Sequence, residues 1–348
     1  MIAQSQSGTG KTAAFVLTML SRVDSAQPYT QCLCLAPTYE LALQIGQVCE
    51  QMAKHMPDVK IAYAVRGQRR ARGERLDAHI VIGTPGTMLD WCTKLRIINL
   101  KNVRVFVLDE ADVMIDTQGH QDQSIRIQRG LVKGCQMLLF SATYDAKVMK
   151  FAQDVVPNAV MIRLRREEET LVNIKQYFIE CTSQDAKFQA LSNIYGAISI
   201  GQSMIFCHSK KTASSLAEKM TAEGHAVALL SGELEVDQRA AVIQRFREGK
   251  EKVLITTNVS ARGIDVEQVT VVVNFDLPVD YNTRRADCET YLHRIGRTGR
   301  FGKNGLAINM VDGARTMAML KEIEAHFGIK VLRLDADDFD EIERIGNA

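Results

Sequence analysis

Two short stretches of the chain carry side chains suited to phosphate chemistry. Near its start the run SQSGTGKT, residues 5–12, sets Gly8 and Gly10 ahead of Lys11 and Thr12. The run lies between an apolar strand tail, MIA, and the helix-forming TAAFVLTML, whose apolar residues are Phe15, Val16, Met19 and Leu20. A glycine-rich turn in that place aims backbone N–H groups inward as an anion nest, reinforced by the positive end of the helix. Ser7, Gly8, Thr9, Gly10, Lys11 and Thr12 are therefore the candidate phosphate-binding residues. Lys11 supplies charge for the outer phosphates and the Thr12 hydroxyl is a magnesium ligand of the usual kind. The generic loop starts on glycine where this chain has Ser5, but that position is the entrance of the turn, where positive φ need not be required.

The second stretch is VFVLDEAD, in which Val105 to Leu108 run into Asp109 and Glu110. An apolar run ending in carboxylates places them at the carboxyl edge of a strand, where ligands collect in parallel sheets. Asp109 is a candidate for holding the metal and Glu110 for orienting or deprotonating an attacking water. In isolation the alternative is two carboxylates capping a following helix. The phosphate loop 98 residues upstream favours the catalytic reading.

Positioning these residues requires a sheet buried on both faces. Continuous apolar runs at 32–36, 61–65, 80–83, 104–108 and 137–140, with helical stretches between them, predict parallel strands joined by crossovers. The charged segment 163–173 interrupts the rhythm, which restarts at 203–207, 226–230, 252–256, 270–274 and 306–310. Two α/β domains are expected, over residues 1–166 and 173–348, each a parallel sheet flanked by helices; 348 residues suffice for two cores. The acidic run near residue 340 suits a helix start.

Composition narrows the function classes. Lys plus Arg number 43 against 41 Asp plus Glu, so any polyanion site must be a local patch. The eight cysteines form no Cys-x-x-Cys pair and sit in apolar runs, which reads as reduced core thiols and argues against zinc. No apolar run approaches a membrane span and no signal sequence opens the chain, so a soluble intracellular protein is expected.

With SGTGKT and DEAD placed, the sequence resembles the DEAD-box RNA helicases. PTYELA (37–42), TPGT (84–87), SAT (141–143), ARGID (261–265) and HRIGRTGR (293–300) continue the resemblance in order. The resemblance implies two tandem RecA-like domains, ATP and Mg2+ as cofactors, and RNA-stimulated ATP hydrolysis. It makes Lys11, Asp109, Glu110, Arg297 and Arg300 catalytic, the two arginines lying three apart at what would be a helix start. It assigns Asp265 to the nucleotide, and Ser141, Thr143 and His293 to coupling, with a plain strand-end turn the alternative for the SAT residues. Pro37, Thr38, Gly67, Thr84, Pro85, Gly86, Arg262 and Gly263 would meet RNA, mainly at its backbone, with little base specificity. The 2′-hydroxyl would then tell RNA from DNA.

Tyr39, Arg66, Thr87 and Asn258 depart from the commonest family pattern. Together with GHQDQSIRIQR (119–129) they resemble the nuclear-pore mRNA-export branch and its germ-cell relatives; Tyr144, where Phe is usual, matches neither. That branch implies a nucleoporin and an inositol-phosphate-dependent activator as partners, a monomer, and a place in nucleus and cytoplasm at the cytoplasmic pore face. Family members carry an adenine-recognising Gln motif upstream of the phosphate loop. This sequence opens inside the first strand, so it reads as a fragment or as a short form, for which an ATP-gated RNA clamp with impaired hydrolysis is the rival function. Arg126 and Arg129 extend the RNA face or line a solvated helix. The cluster RGQRRARGER (66–75) reads as an RNA or partner surface or as a flexible exposed loop.

Overall fold

The computed structural model describes residues 1–5, 9–163, 173–257, 266, 268–299 and 303–346. The chain divides into two compact units, Met1–Leu164 and Arg165–Ala348. In the first, strands β1 (Ile2–Gln4), β2 (Cys32–Leu35), β3 (Ile61–Ala64), β4 (Ile80–Gly83), β5 (Val105–Leu108), β6 (Gln136–Ser141) and β7 (Met161–Ile162) form one sheet. Its order is β3-β4-β2-β5-β6-β1-β7 and every pairing is parallel. Helices α1 (Lys11–Arg22), α2 (Tyr39–Met52), α3 (Pro85–Thr93), α4 (Ala111–Asp116), α5 (His120–Arg129) and α6 (Ala146–Val155) cross between strands.

The continuous apolar runs have a direct cause. Leu33, Leu35, Phe106 and Leu108 point to one face and pack with Trp91 and Phe151. Their strand neighbours Cys32, Cys34, Val105 and Val107 point to the other and pack with Phe15 and Met19 of α1 and Ile45 of α2. Each face has its own core, so the central strands β2 and β5 are apolar at every position. Burial pushes the thiols of Cys32 and Cys49 up to about 12, which leaves them protonated and inert.

The second unit repeats the plan. Strands β8 (Ile174–Glu180), β9 (Gln202–Cys207), β10 (Val227–Leu230), β11 (Val253–Thr257), β12 (Val269–Asn274), β13 (Gly305–Val311) and β14 (Leu332–Arg333) lie in the order β10-β11-β9-β12-β13-β8-β14. Helices α7 (Gln184–Ala197), α8 (Lys210–Ala222), α9 (Val236–Arg247), α10 (Cys288–Ile295), α11 (Ala314–Phe327) and α12 (Phe339–Gly346) flank it. Asp340 and Glu341 stand in the first turn of α12, where a helix favours negative charge. Strand β8 lacks the apolar rhythm because it sits near the sheet edge, with Lys175 and Glu180 exposed and Gln176 and Tyr177 half-buried. No described helix is long and apolar enough to cross a membrane.

Candidate active site

Because all strands are parallel, their carboxyl ends share one edge, and the strand order sorts the candidate residues along it. The loops after β1, β5 and β6 bring the phosphate turn, Asp109 with Glu110, and Ser141 with Thr143 to one half. The loops after β2, β3 and β4 bring Pro37 and Thr38, Gly67, and Thr84 to Gly86 to the other.

In the nucleotide half, the Ser5 amide donates to the Ser141 carbonyl at 3.0 Å. Its hydroxyl lies 2.5 Å from that of Thr9, so the side chain at the position where generic loops have glycine spans the mouth of the turn. The predicted residues Ser7 and Gly8 lie outside the described residues. Gly10 has φ 91°, a left-handed conformation that a side chain would strain. It precedes α1, whose first turn has no side-chain cap, leaving its N–H groups to an anion. Lys11 and Thr12 occupy that turn.

Lys11 Nζ stands 3.4 Å from Asp109 Oδ1. Burial by itself would lower the lysine's pKa, but the carboxylates of Asp109, Glu110 and Asp112 outweigh it and hold the ammonium above its ordinary value. Burial raises the Asp109 carboxyl, Lys11 opposes that and Glu110 adds to it, so Asp109 stays above the usual carboxylate range. One cation thus faces three buried carboxylates. Glu110 itself adopts φ 50°, ψ 56°, left-handed for a residue with a side chain, while its N–H donates to Asp109 Oδ1 at 3.0 Å. Asp109 Oδ2 and Glu110 Oε2 are buried without a hydrogen-bond partner among the described residues. Orphaned carboxylate oxygens are costly in a dry site. Asp109 Oδ2 and the Thr12 hydroxyl are oxygen donors of the kind a hard divalent cation takes, so the residues fit magnesium, and Glu110 Oε2 is left for water.

The SAT hydroxyls converge on one residue, Thr143 at the carboxylate of Asp112 and Ser141 at its backbone amide. Asp112 Oδ2 accepts from the Thr143 amide at 3.3 Å and its hydroxyl at 3.1 Å, and the Asp112 amide donates to Ser141 Oγ at 3.2 Å. Sequence reasoning assigned Ser141 and Thr143 to coupling without pointing to Asp112 as their partner. It also missed Gln4, whose Nε2 donates to the Ala142 carbonyl at 3.2 Å. Tyr144 Oη donates to the Ala3 carbonyl at 3.3 Å; burial, then the charge of Asp112, raises its pKa. The turn after β6 is thereby laced to both the DEAD segment and the strand that feeds the phosphate turn.

In the other half, Thr38 caps α2, its hydroxyl accepting from the Leu41 amide at 3.2 Å. Thr84 and Pro85 open α3. Gly67 is exposed with φ 95° and nothing within 4 Å of where a Cβ would stand, so its turn requires glycine and its backbone is accessible. Arg126 and Arg129 lie exposed on α5.

In the second unit, Arg297 does not start a helix as the resemblance implied. It follows the end of α10, which begins nine residues earlier under the Asp287 cap and ends at Ile295, capped by Gly296. The side chain is 4% exposed and Nε donates to the His293 carbonyl at 3.0 Å. Asp265, Arg262, Gly263 and Arg300 lie outside the described residues. Arg294, which sequence reasoning passed over, is buried; it donates to Asn274 Oδ1 at 2.8 Å and the Asp276 carbonyl at 2.7 Å, over the Phe206 ring. Burial lowers its pKa to about 10, so it remains a cation that pins α10 to the sheet. Lys187 is likewise buried, held by Asp276 at 3.1 Å and Asp312 at 2.8 Å.

Residues 1–151 match the family model described as DEAD/DEAH box helicase, and residues 186–302 that of the helicase conserved C-terminal domain. The chain is 69% identical over 347 residues to ATP-dependent RNA helicase DDX19A of Bos taurus, covering 100% of this chain and 72% of that one. To ATP-dependent RNA helicase DDX25 of Bos taurus it is 61% identical over 345 residues, covering 99% and 71%. Among solved structures, S. cerevisiae Dbp5 bound to RNA and ADP BeF3 matches with TM-score 0.92 at 46% identity, over 100% of this chain and 88% of that one. A Dbp5 variant bound to Nup159, a Gle1 variant, IP6 and ADP matches with TM-score 0.72 at 44% identity, over 100% and 89%. The two seven-stranded parallel sheets with flanking helices are tandem RecA-like domains.

Proposed function

This chain belongs to the DEAD-box family of ATP-dependent RNA helicases, and from that premise we propose how its residues divide the use of ATP on RNA. Residues 1–166 serve as the ATP-binding domain and residues 173–348 as the C-terminal helicase domain. Ser7 to Lys11 cradle the phosphates with backbone N–H groups, and Lys11 neutralises the outer ones. Thr12 and Asp109 hold Mg2+, which when bound neutralises charge on the phosphate oxygens. Glu110 orients the attacking water and accepts its proton. Arg297 and Arg300 stabilise negative charge on the transferring phosphoryl group, and Asp265 contacts the nucleotide. Turnover then needs residues of both units. Asp112 passes the nucleotide state to Ser141 and Thr143, and His293 takes part from the second unit.

Pro37, Thr38, Gly67 and Thr84 to Gly86, with Arg262 and Gly263, hold RNA by its backbone. The observation that supports the catalytic reading best is the pair of orphaned oxygens, Asp109 Oδ2 and Glu110 Oε2, beside the Lys11 charge. By likeness to Dbp5 in its complexes, the chain acts in mRNA export at the cytoplasmic face of the nuclear pore. Its partners there are a nucleoporin and an inositol-phosphate-dependent activator, and the chain itself is a monomer. The experiment is phosphate release from ATP with and without single-stranded RNA. Wild type should be stimulated by RNA, and Glu110→Gln should bind RNA but release no phosphate above background. Equal release by the two proteins, with RNA still bound, would replace this reading by that of an RNA clamp.

A further inference from the structure

The arginine cluster 66–75 is fixed, not loose. Gly67 and Gly73 take left-handed φ values of 95° and 73°, turns that side chains would strain. Between them, Arg70 Nη1 binds Glu74 Oε1 at 2.6 Å and its guanidinium lies over the ring of buried Trp91 in α3. The Ala71 amide donates to Glu74 Oε2 at 2.9 Å, and the Gly73 amide to the Leu95 carbonyl just beyond α3 at 2.8 Å. The segment therefore leaves the carboxyl end of β3 and runs back along α3.

This anchoring consumes the nearby carboxylates. Glu74 is taken by Arg70 and Ala71, and Asp77 by Lys60. Arg66, Arg69, Arg72 and Arg75 remain exposed, with no ion pair among the described residues. Beyond Gly67, the exposed Arg69, Arg72 and Arg75 on this braced segment form a local cationic strip in a chain whose net charge is only +2. The strip begins at Gly67, on the half of the sheet edge that carries Pro37, Thr38 and Thr84 to Gly86. Exposed guanidinium groups carried on one braced backbone suit the phosphates of a single strand, and a fixed backbone lowers the ordering cost of binding.

We infer that Arg69, Arg72 and Arg75 form an accessory phosphate-binding strip for RNA that extends past the motif residues, lengthening the footprint along the flank of α3. The inference rests on the proposed RNA site at the β2, β3 and β4 loops. The strip touches only RNA that runs beyond that site, so it adds affinity for long strands and leaves the catalytic residues untouched.

The test compares wild type with the triple variant Arg69→Ala/Arg72→Ala/Arg75→Ala, and with Lys at the same three positions, by titration of fluorescent single-stranded RNA of about six and about 20 nucleotides. The Ala variant should bind the long RNA at least about tenfold more weakly, with a plot of log affinity against log salt shallower by about 2, from about 0.7 per lost phosphate contact. It should bind the short RNA as wild type does, and its phosphate release at saturating RNA should be unchanged. The Lys variant should keep the wild-type salt slope. Equal affinity and slope on the long RNA would overturn the inference, including when the Ala variant loses binding to poly-glutamate, the probe for an acidic protein partner. Equal losses on short and long RNA would also overturn it, by showing a general defect. Wild type failing to bind either RNA would overturn the underlying RNA reading and the strip with it.

Discussion

Replacing Lys11 by Met keeps the length and much of the volume of the side chain but removes the cation that faces Asp109, Glu110 and Asp112. Asp109 is fully buried and Lys11 is 11% exposed, so their 3.4 Å pair behaves as a buried one. Removing one partner of such a pair costs about 3 to 5 kcal/mol, and the slight exposure favours the lower figure, about 3 kcal/mol. Asp109 can escape that cost by taking up a proton. Its folded-state pKa already stands above the ordinary carboxylate range. A group so raised contributes stability that is full below its unfolded pKa and is lost as pH rises through the folded pKa. Losing Lys11 raises Asp109 further, so the variant's deficit should be full in mild alkali and shrink as acid protonates the carboxyl.

The assay is urea unfolding of nucleotide-free protein followed by the fluorescence of Trp91. It is the chain's single tryptophan, buried in the first unit, and so reports that unit without the second. A deficit of about 3 kcal/mol at about pH 8 that shrinks as the pH is lowered is expected. A deficit unchanged on acidification, or absent in mild alkali, would refute the electrostatic reasoning.

Thr143→Val removes the hydroxyl donor to Asp112 while the weaker amide bond stays. It should cost about 1 to 2 kcal/mol in the Trp91-monitored unfolding and lower duplex unwinding more than RNA-stimulated ATP turnover. Tyr144→Phe gives up the bond to Ala3 and should cost at most about 1 kcal/mol, read as a shift in the same midpoint. Arg294→Met strands Asn274 Oδ1 and the Asp276 carbonyl. It should destabilise the second unit by about 2 to 4 kcal/mol, measured by calorimetry, and leave the Trp91 transition in place.

Much of this architecture can be read from letters because the physics is local. A core on each face favours apolar residues at successive strand positions, so Cys32 to Leu35 and Val105 to Leu108 announce themselves. The phosphate turn is legible because Gly10 answers a backbone demand and Lys11 and Thr12 follow at fixed spacing. Strand β8 was hidden, since near the sheet edge it mixes buried Ile174, Phe178 and Ile179 with exposed Lys175 and Glu180. The choice of Asp112 over its neighbours by Thr143 depends on the turn after β6 meeting α4, a long-range contact that no spacing encodes. Arg294 and Arg297 look alike in HRIGRTGR. Only the helix phase, set by the Asp287 cap and Gly296, buries Arg294 against Asn274 and carries Arg297 past the helix end.

The central claim is that the orphaned oxygens of Asp109 and Glu110 have separate tasks, metal holding and water activation. Calorimetric titration of ATP with and without Mg2+, alongside RNA-stimulated phosphate release, separates them in wild type, Asp109→Asn and Glu110→Gln. Asp109→Asn should lose the Mg2+-dependent part of ATP affinity together with turnover, while Glu110→Gln keeps that affinity and loses turnover alone. If Asp109→Asn retains Mg2+-dependent binding, or Glu110→Gln turns over like wild type, the account is contradicted.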